Sequence, residues 1–198
     1  MKEAVIIFVR NPERGKVKTR LAKEIGDYNA LQVYIKLLRH TKDITAELTA
    51  TKFVFSTGLL SFPWPASLNE IQSPGDLGVK MSRAFQSVFS KGYSRVLIIG
   101  SDCLELTKGH IENAFAALNK NDIVIGPATD GGYYLLGMKK LHEQLFENKS
   151  WSTEKVFKET MESVNLSGLC VFVLECLADI DTAKDLPLDW KKEITENS

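Results

Sequence analysis

The chain has 198 residues, of which 44% are hydrophobic and 25% are charged, and its formal net charge at pH 7 is zero. This length and composition predict one globular domain over residues 1–198, and the balanced charge favours neither nucleic acid nor an anionic membrane as a partner. No apolar run approaches the roughly 20 residues that a membrane span requires. The three cysteines are odd in number and lack metal-ligand spacing, which favours a reduced, cytoplasmic setting.

Short apolar runs rich in β-branched and aromatic residues predict the strands of a sheet. In chain order they are Ala4–Arg10, Lys52–Ser56, Val96–Gly100, Asp122–Pro127, Tyr133–Met138 and Leu169–Leu174. The proline-containing stretch Leu59–Pro74 is predicted as a loop. The run Val96–Gly100 is predicted to be a central strand buried on both faces, and Asp102 follows it almost directly.

Apolar residues at helical spacing predict helices between these strands. The four stripes are Leu31, Tyr34, Ile35 and Leu38, then Met81, Ala84, Phe85 and Val88, then Ile111, Ala114, Phe115 and Leu118, and last Phe157, Met161 and Val164. Helices alternating with strands predict a three-layer α/β/α, Rossmann-like domain with a mostly parallel sheet. The hairpin-like region Gly126–Met138 is expected to make that sheet mixed.

Short polar residues mark the expected helix starts. Asp27, Thr107 and Ser152 are the predicted N-caps, because their side-chain oxygens can accept from the free N–H groups of a first turn. Thr182-x-x-Asp185 resembles a capping box and predicts the start of the last helix. Residues Lys191–Ser198 are predicted to form a frayed polar tail.

The segment after the first strand is strongly basic. Six cations, Arg10, Arg14, Lys16, Lys18, Arg20 and Lys23, stand against the single acid Glu13. Because Gly15 allows close backbone approach, a loop with this composition suits contact with phosphate. The alternative is a solvated basic turn. The segment is not a Walker A loop, since Lys16 is followed by Val17.

Three aspartates, Asp102, Asp130 and Asp181, follow or flank predicted strands. Carboxylates at the ends of parallel strands lie at the crevice where open α/β sheets bind ligands. They could converge on a hard divalent cation, which prefers oxygen ligands and bridges to phosphate oxygens. Aspartate at such junctions is also a common turn former or helix cap. Together with the basic segment, the three acids favour a site for a metal and a diphosphate.

Six motifs along the chain resemble the DUF2064 family. They are FVRNPERGKVKTRLA, SPGDLGVKMSRAF, IGSDCLEL, GPATDGGYYLLGM, KSWSTEKVF and DIDTAKDL, and they span about Val5 to Leu186 in the family's order. That family is grouped with the GT-A glycosyltransferases and is similar to small nucleotidyltransferases, such as the molybdenum-cofactor and phospholactate guanylyltransferases. The resemblance implies a nucleotide-diphospho-sugar transferase (GT-A) fold with a nucleotide in its N-terminal half.

The resemblance also implies roles for individual residues. Those expected at the nucleotide and its phosphates are Arg10, Gly15, Lys18, Arg20 and Asp76. Those expected on the acceptor or sugar side are Gly131, Gly132, Tyr133, Trp151 and Ser152, although Trp151 could equally be a core anchor. Asp102 and Asp181 would hold Mg²⁺ or Mn²⁺. Asp102 and Asp130 are the predicted catalytic residues, with Asp130 as the candidate general base.

Two features depart from the family or its relatives. Leu104 stands where the family usually has proline, which frees the loop after Asp102 while leaving the aspartate in place. The DxD motif of many glycosyltransferases is absent at this position, because Asp102 is followed by Cys103 and Leu104. This weakens the glycosyltransferase label relative to the fold.

The predicted function is a metal-dependent glycosyltransferase that uses a nucleotide-diphospho-sugar donor and an acceptor of unknown identity. The first alternative is a guanylyltransferase-like nucleotidyltransferase, in which an NTP and a phosphorylated acceptor react with release of pyrophosphate. The paired acids Asp102 and Asp181 lean slightly towards this alternative. The second alternative is a nucleotide-binding protein without catalytic activity.

Overall fold

A computed structural model describes residues 2–196. Its strands β1–β7 are Glu3–Val9, Thr51–Ser56, Ser67–Ile71, Arg95–Ile99, Ile123–Pro127, Tyr133–Met138 and Val171–Val173. Its helices α1–α6 are Thr19–Ile25, Asp27–Ala46, Leu77–Ser90, Lys108–Ala117, Val156–Leu166 and Leu188–Glu196. Short 3₁₀ turns lie at Glu143–Leu145 and Ala183–Asp185. None of the helices in this part of the chain is long and apolar enough to cross a membrane.

The strands form one mixed sheet in the order β3-β2-β1-β4-β6-β5-β7. Strand β6 is antiparallel to both of its neighbours, while β3, β2, β1 and β4 pair in parallel, as do β5 and β7. The prediction of a mostly parallel sheet made mixed near Gly126–Met138 is therefore confirmed. We use the name carboxyl edge for the edge of the sheet at which strands β1 to β5 end and the antiparallel strand β6 begins.

Alternating residues of the strands build a core on each face of the sheet. In β1, Val5 and Ile7 pack in a cluster with buried residues of α2 and α4, whereas Ala4 and Ile6 pack with α3 and α5. Both clusters consist largely of aliphatic side chains, which explains why the central strands are near-continuous apolar runs rather than alternating ones. Helices on both faces give the predicted three layers.

A third cluster lies beside the carboxyl edge. Leu21 of α1 and Leu37 of α2 pack there with Ile180 and Leu186, and Trp190 of α6 covers them. These contacts hold the chain around Ile180 against α1. The cluster thus brings a segment late in the sequence next to the basic segment that follows β1.

Two predicted loops contain regular structure. Leu59–Pro74 was expected to be loop throughout, but β3 pairs in parallel with β2 within it. Strand β3 lies at the sheet edge and its SLNEI sequence is mostly exposed, so no apolar alternation marks it. The basic segment was likewise expected to be loop to Lys23, but α1 begins at Thr19.

Four predicted helix boundaries are also wrong. Asp27 is the first residue of α2, and the N-cap is Gly26. Ser152 does not cap α5, which begins at Val156 with Lys155 as its N-cap, because Ser152 lies three residues further upstream in a turn with φ 65°. The capping box of Thr182 and Asp185 is present, but it closes a 3₁₀ turn and α6 starts only at Leu188. The tail expected from Lys191 is helical to Glu196, and residues 197 and 198 lie outside the described part.

Candidate active site

The carboxyl edge gathers segments that are far apart in the sequence. The backbone N–H of Ile180 donates to the carbonyl of Asp102, at 3.0 Å, and so ties the late segment to the end of β4. A bridge between Ala128 and Leu177 continues the pairing of β5 with β7 and directs the same segment across the edge. Asp102 and the residues around Ile180 are therefore neighbours.

Lys18 occupies the centre of this arrangement. Its Nζ lies 3.0 Å from Oδ1 of Asp102 and donates to the carbonyl of Ile180 at 2.7 Å. Only 6% of the Lys18 side chain is exposed, against 48% of the Asp102 side chain. A desolvated ammonium needs such partners, because an unpaired buried charge costs several kcal/mol. Lys18 thus serves as an internal counter-ion to Asp102.

Arg20 and Asp181 form a second ion pair at this edge. Nη1 of Arg20 lies 2.7 Å from Oδ2 of Asp181, and the two side chains are 71% and 42% exposed. Exposed pairs of this kind contribute only about 0–1 kcal/mol. The two predicted metal ligands, Asp102 and Asp181, are therefore each held by a cation predicted to bind phosphate.

Asp179 is a member of the site to which sequence reasoning assigned no role. Burial, and then the nearby charges of Asp102 and Asp130, raise the pKa of Asp179 to about 7, against the opposing influence of Lys18. Asp181 contributes to the same increase. The signal in the sequence is the pair of acids on either side of a buried isoleucine. Three other carboxylates of this edge thus lie close enough to Asp179 to influence its protonation.

Asp130 lies in the turn that leads into β6. Its Oδ1 accepts from the backbone N–H of Gly132 at 2.8 Å. Gly131 has φ 86°, and a Cβ added there would lie 2.2 Å from the carbonyl oxygen of Glu154. The Gly131 carbonyl also accepts from the N–H of Phe157 in α5, at 2.9 Å. Close packing against the start of α5 therefore accounts for Gly131, and the predicted ligand contacts of both glycines stay predictions.

The aromatic residues of the predicted acceptor side lie mainly in packing contacts. Tyr133 packs in the α3/α5 layer and Tyr134 in the α2/α4 layer, as expected of neighbours on one strand. Burial raises the pKa of Tyr133 well above its usual range. Trp151 lies against α3, where a Cβ added to Gly78 would be 2.5 Å from its ring. This contact fits the core-anchor alternative for Trp151, and its ligand contact stays a prediction.

Tyr34 positions the start of the basic segment. Its hydroxyl accepts from the backbone N–H of Arg10 at 2.8 Å and donates to the Arg10 carbonyl at 3.1 Å. The Ser101 hydroxyl is 3.4 Å away, and burial raises the pKa of Tyr34 to about 12. The apolar stripe of α2 identified Tyr34 only as a core residue. Its hydroxyl in fact links Arg10 to the chain beside Asp102.

The other residues predicted at the nucleotide are Gly15 and Asp76. Gly15 has φ 76°, a conformation that favours glycine. Asp76 is the N-cap of α3 and accepts from the N–H of Val79 at 2.9 Å. The structure thus gives Asp76 a structural role in the described chain, and its contact with a nucleotide stays a prediction.

A cavity of about 330 Å³ lies between the end of β2 and the start of α3. Its lining residues are Thr57, Gln72, Ser73, Pro74, Gly75 and Lys80. The side-chain amide of Gln72 donates to the carbonyls of Val9 and Phe55, at 3.1 and 3.0 Å, and so joins the ends of β1 and β2. The hydroxyl of Ser73 is buried without a hydrogen-bond partner among residues 2–196. Sequence analysis did not identify this cavity, since Leu59–Pro74 showed no apolar periodicity.

The donor chemistry at the carboxyl edge fits a hard divalent cation. Within residues 2–196, no group of three or more histidine, cysteine, aspartate or glutamate side chains is arranged to hold a metal ion by itself. The edge nevertheless combines four aspartates with Lys18 and Arg20, which leaves an excess of carboxylate oxygens. Mg²⁺ is commonly held by one or two carboxylates together with water and substrate phosphates. Asp102 and Asp181 suit that mode of binding.

Comparison with known proteins identifies relatives of the whole chain. The sequence model of a family described as "Uncharacterized protein conserved in bacteria (DUF2064)" matches residues 45–153. The crystal structure of a "putative nucleotide-diphospho-sugar transferase" from Desulfovibrio desulfuricans G20 is 32% identical, with a TM-score of 0.86, over 92% of this chain and 84% of that one. No curated protein sequence matches significantly.

More distant structures share the fold. A CMP-2-keto-3-deoxy-manno-octonic acid synthetase complexed with CTP is 10% identical, with a TM-score of 0.59, over 99% of this chain and all of that one. Rv0371c from Mycobacterium tuberculosis H37Rv, in complex with manganese, is also 10% identical, with a TM-score of 0.59, over the full length of both chains. The predicted nucleotide-diphospho-sugar transferase fold is therefore confirmed.

Proposed function

This chain belongs to the DUF2064 family, and from that premise we propose that it is a metal-dependent transferase acting on a nucleotide or nucleotide-diphospho-sugar at the carboxyl edge. The observation that supports the proposal most strongly is the buried Lys18 beside Asp102, close to the buried Asp179 that Asp102, Asp130 and Asp181 also influence. A buried cation among carboxylates is costly to assemble for structure alone. Perturbed charged groups of this kind cluster at functional sites.

In the proposed site the basic segment holds the phosphates. Arg10, Gly15 and Arg20 contact the diphosphate, and Lys18 keeps the Asp102 carboxylate in place. Asp102 and Asp181 hold Mg²⁺ or Mn²⁺, which supplies charge neutralisation of the diphosphate when it is bound. The manganese complex of Rv0371c supports the choice of metal.

The 330 Å³ cavity is the proposed place of the nucleoside, because its wall contacts the basic segment at Thr57. The backbone N–H of Asn11 donates to Oγ1 of Thr57 in the cavity wall, at 3.1 Å. Asp130 is the proposed general base on the acceptor side, with Gly131, Gly132, Tyr133, Trp151 and Ser152 around the acceptor. Its carboxylate accepts only one N–H in the described chain, which leaves an oxygen for an acceptor hydroxyl.

Glycosyl transfer is the leading reaction and nucleotidyl transfer the second candidate. The description of the Desulfovibrio relative supports glycosyl transfer. The convergence of Asp102 and the segment that carries Asp181 supports nucleotidyl transfer.

We also propose that residues 1–198 form one domain and that the protein acts in a reduced, cytoplasmic setting, in keeping with its free cysteines.

Calorimetry with a panel of ligands tests the proposal. GTP, CTP, UDP-glucose and GDP-mannose are titrated with and without MnCl₂ into the wild type, Asp102→Ala and the control Asp43→Ala, which removes an exposed acid of α2. We expect Mn²⁺-dependent binding to the wild type and to the control, and its loss in Asp102→Ala. Binding of no ligand, or unchanged binding to Asp102→Ala, would refute the site.

Product analysis of the ligand that binds separates the two reactions. Release of a nucleoside diphosphate from an NDP-sugar identifies glycosyl transfer. Release of pyrophosphate from an NTP identifies nucleotidyl transfer.

A further inference from the structure

The two ion pairs at the carboxyl edge differ in how firmly they are held. Lys18 is buried, and its ammonium has two partners, the Asp102 carboxylate and the Ile180 carbonyl. Arg20 is largely exposed, and within residues 2–196 its guanidinium donates to Asp181 alone. Moving Lys18 would leave buried groups unpaired, whereas moving Arg20 returns both partners to water. Arg20 is therefore the exchangeable cation of the site.

The backbone around each partner of the exposed pair is fixed independently of the pair. Asp185 accepts from the N–H groups of Asp181 and Thr182, at 3.1 and 2.7 Å, and so holds the turn that carries the Asp181 side chain. Arg20 lies in the first turn of α1, two residues after the anchored Lys18. Separating Arg20 from Asp181 therefore requires side-chain rotation only.

We propose, resting on the proposed function, that Arg20 and Asp181 form an exchange pair that couples the binding of metal and phosphate. In the ligand-free protein each partner occupies the position that a ligand takes later. A metal ion on Asp181 displaces Arg20, and a phosphate on Arg20 releases Asp181. Either ligand alone must break the pair, while the second ligand finds it already broken. Metal and phosphate then bind with positive and reciprocal coupling.

The proposal predicts opposite effects for the two partners of the pair. Arg20→Met frees Asp181, so the affinity for Mn²⁺ alone is expected to increase about 1.5- to 5-fold, the range given by an exposed ion pair. Asp181→Asn frees Arg20, so the affinity for inorganic pyrophosphate in EDTA is expected to increase by a similar factor. If Arg20 and Asp181 only contributed binding contacts, these substitutions would lower each affinity or leave it unchanged.

Each pair variant changes the net charge of the protein, which by itself affects the binding of ions. Matched control variants with the same change in net charge correct for this long-range effect. Lys23→Met removes a cation one turn along α1, and Asp189→Asn removes an exposed acid of α6. Isothermal titration with MnCl₂ compares Arg20→Met with Lys23→Met, and titration with pyrophosphate compares Asp181→Asn with Asp189→Asn. Thermal unfolding midpoints establish that all four proteins are folded.

We expect each pair variant to bind its probe more tightly than its control. Equal or weaker binding than the control in either comparison, or no Mn²⁺ binding to any of these proteins, would overturn the exchange pair. The nucleotide panel is scored separately. We call tighter Mn²⁺ binding by Arg20→Met together with tighter pyrophosphate binding by Asp181→Asn the crossed pattern. If nucleotides bind but the crossed pattern is missing, only the exchange pair fails. If the crossed pattern appears but no nucleotide binds, only the proposed function fails.

Discussion

Replacing Asp179 by asparagine is expected to remove much of the pH dependence that the carboxyl edge gives to the free energy of unfolding. Asp179 is shielded from water and faces Asp102 and Asp130, and its pKa is raised from 3.8 to about 7. The folded protein therefore binds this proton more tightly than the unfolded chain. The resulting stabilisation is complete below pH 3.8 and is lost as the pH rises to about 7.

The size of the effect follows from the same pKa difference. A shift of one pKa unit corresponds to about 1.4 kcal/mol, so the rise to about 7 gives a ceiling of about 4 kcal/mol. Asparagine has nearly the same shape and does not titrate. The free energy of unfolding of Asp179→Asn minus that of the wild type should therefore increase by up to about 4 kcal/mol between pH 4 and pH 8.

Urea unfolding followed by circular dichroism at several pH values measures this difference directly. Asp189→Asn serves as the control, because it removes an exposed carboxylate of α6, and the change with pH is expected to be larger for Asp179→Asn. If the difference for Asp179→Asn is the same at pH 4.5 and pH 8, burial and the neighbouring carboxylates do not raise the pKa of Asp179 as described. A difference that decreases with pH would contradict the sign of the pKa shift.

Two glycine substitutions test the packing around the site. Gly131→Ala should destabilise the protein by more than about 3 kcal/mol in urea unfolding, since its Cβ would meet Glu154. Gly92 is the control, because it also has a positive φ, 84°, but open space around it. Gly92→Ala should therefore destabilise the protein by only about 1–2 kcal/mol. Equal losses would show that the contact with Glu154 is unimportant. Gly78→Ala should displace the Trp151 ring, with a cost of about 1–3 kcal/mol and a shifted tryptophan emission spectrum. An unchanged spectrum would contradict that placement.

The layers of the fold could be predicted because burial on both faces of a sheet leaves long apolar runs. The central strand that leads to Asp102 is buried from Val96 onwards, and the sequence marked it correctly. Strand β3 could not be found in this way, since an exposed edge strand is stabilised by backbone hydrogen bonds that any sequence can make. The predicted bounds of the last helix were wrong because the capping box of Thr182 and Asp185 closes a 3₁₀ turn, and because the polar sequence from Lys191 does not reveal that Trp190 and Ile194 anchor α6.

The candidate site was predictable as a set of residue types and not as a set of contacts. Aspartates at strand ends and a basic segment can be recognised from one sequence. The pairing of Lys18 with Asp102 depends on a third core cluster that places Ile180 beside β4, and no local pattern encodes that contact. The pKa of Asp179 is likewise raised only because the tertiary fold buries this residue beside other aspartates. The hydrogen bond between the Tyr34 hydroxyl and the backbone of Arg10 also depends on the packing of α2 on β1, which the sequence of α2 does not encode locally.

In the proposed site, Asp102 and Asp181 share one divalent cation with a bound nucleotide. Anomalous scattering at the manganese edge, from crystals grown with MnCl₂ and the nucleotide that calorimetry selects, measures this most directly. We expect one strong peak at about 2.0–2.6 Å from an oxygen of each carboxylate, the range of metal–oxygen bonds in such sites, with Arg20 turned away from Asp181. A nucleotide bound at the carboxyl edge with no manganese between these two aspartates would contradict the account.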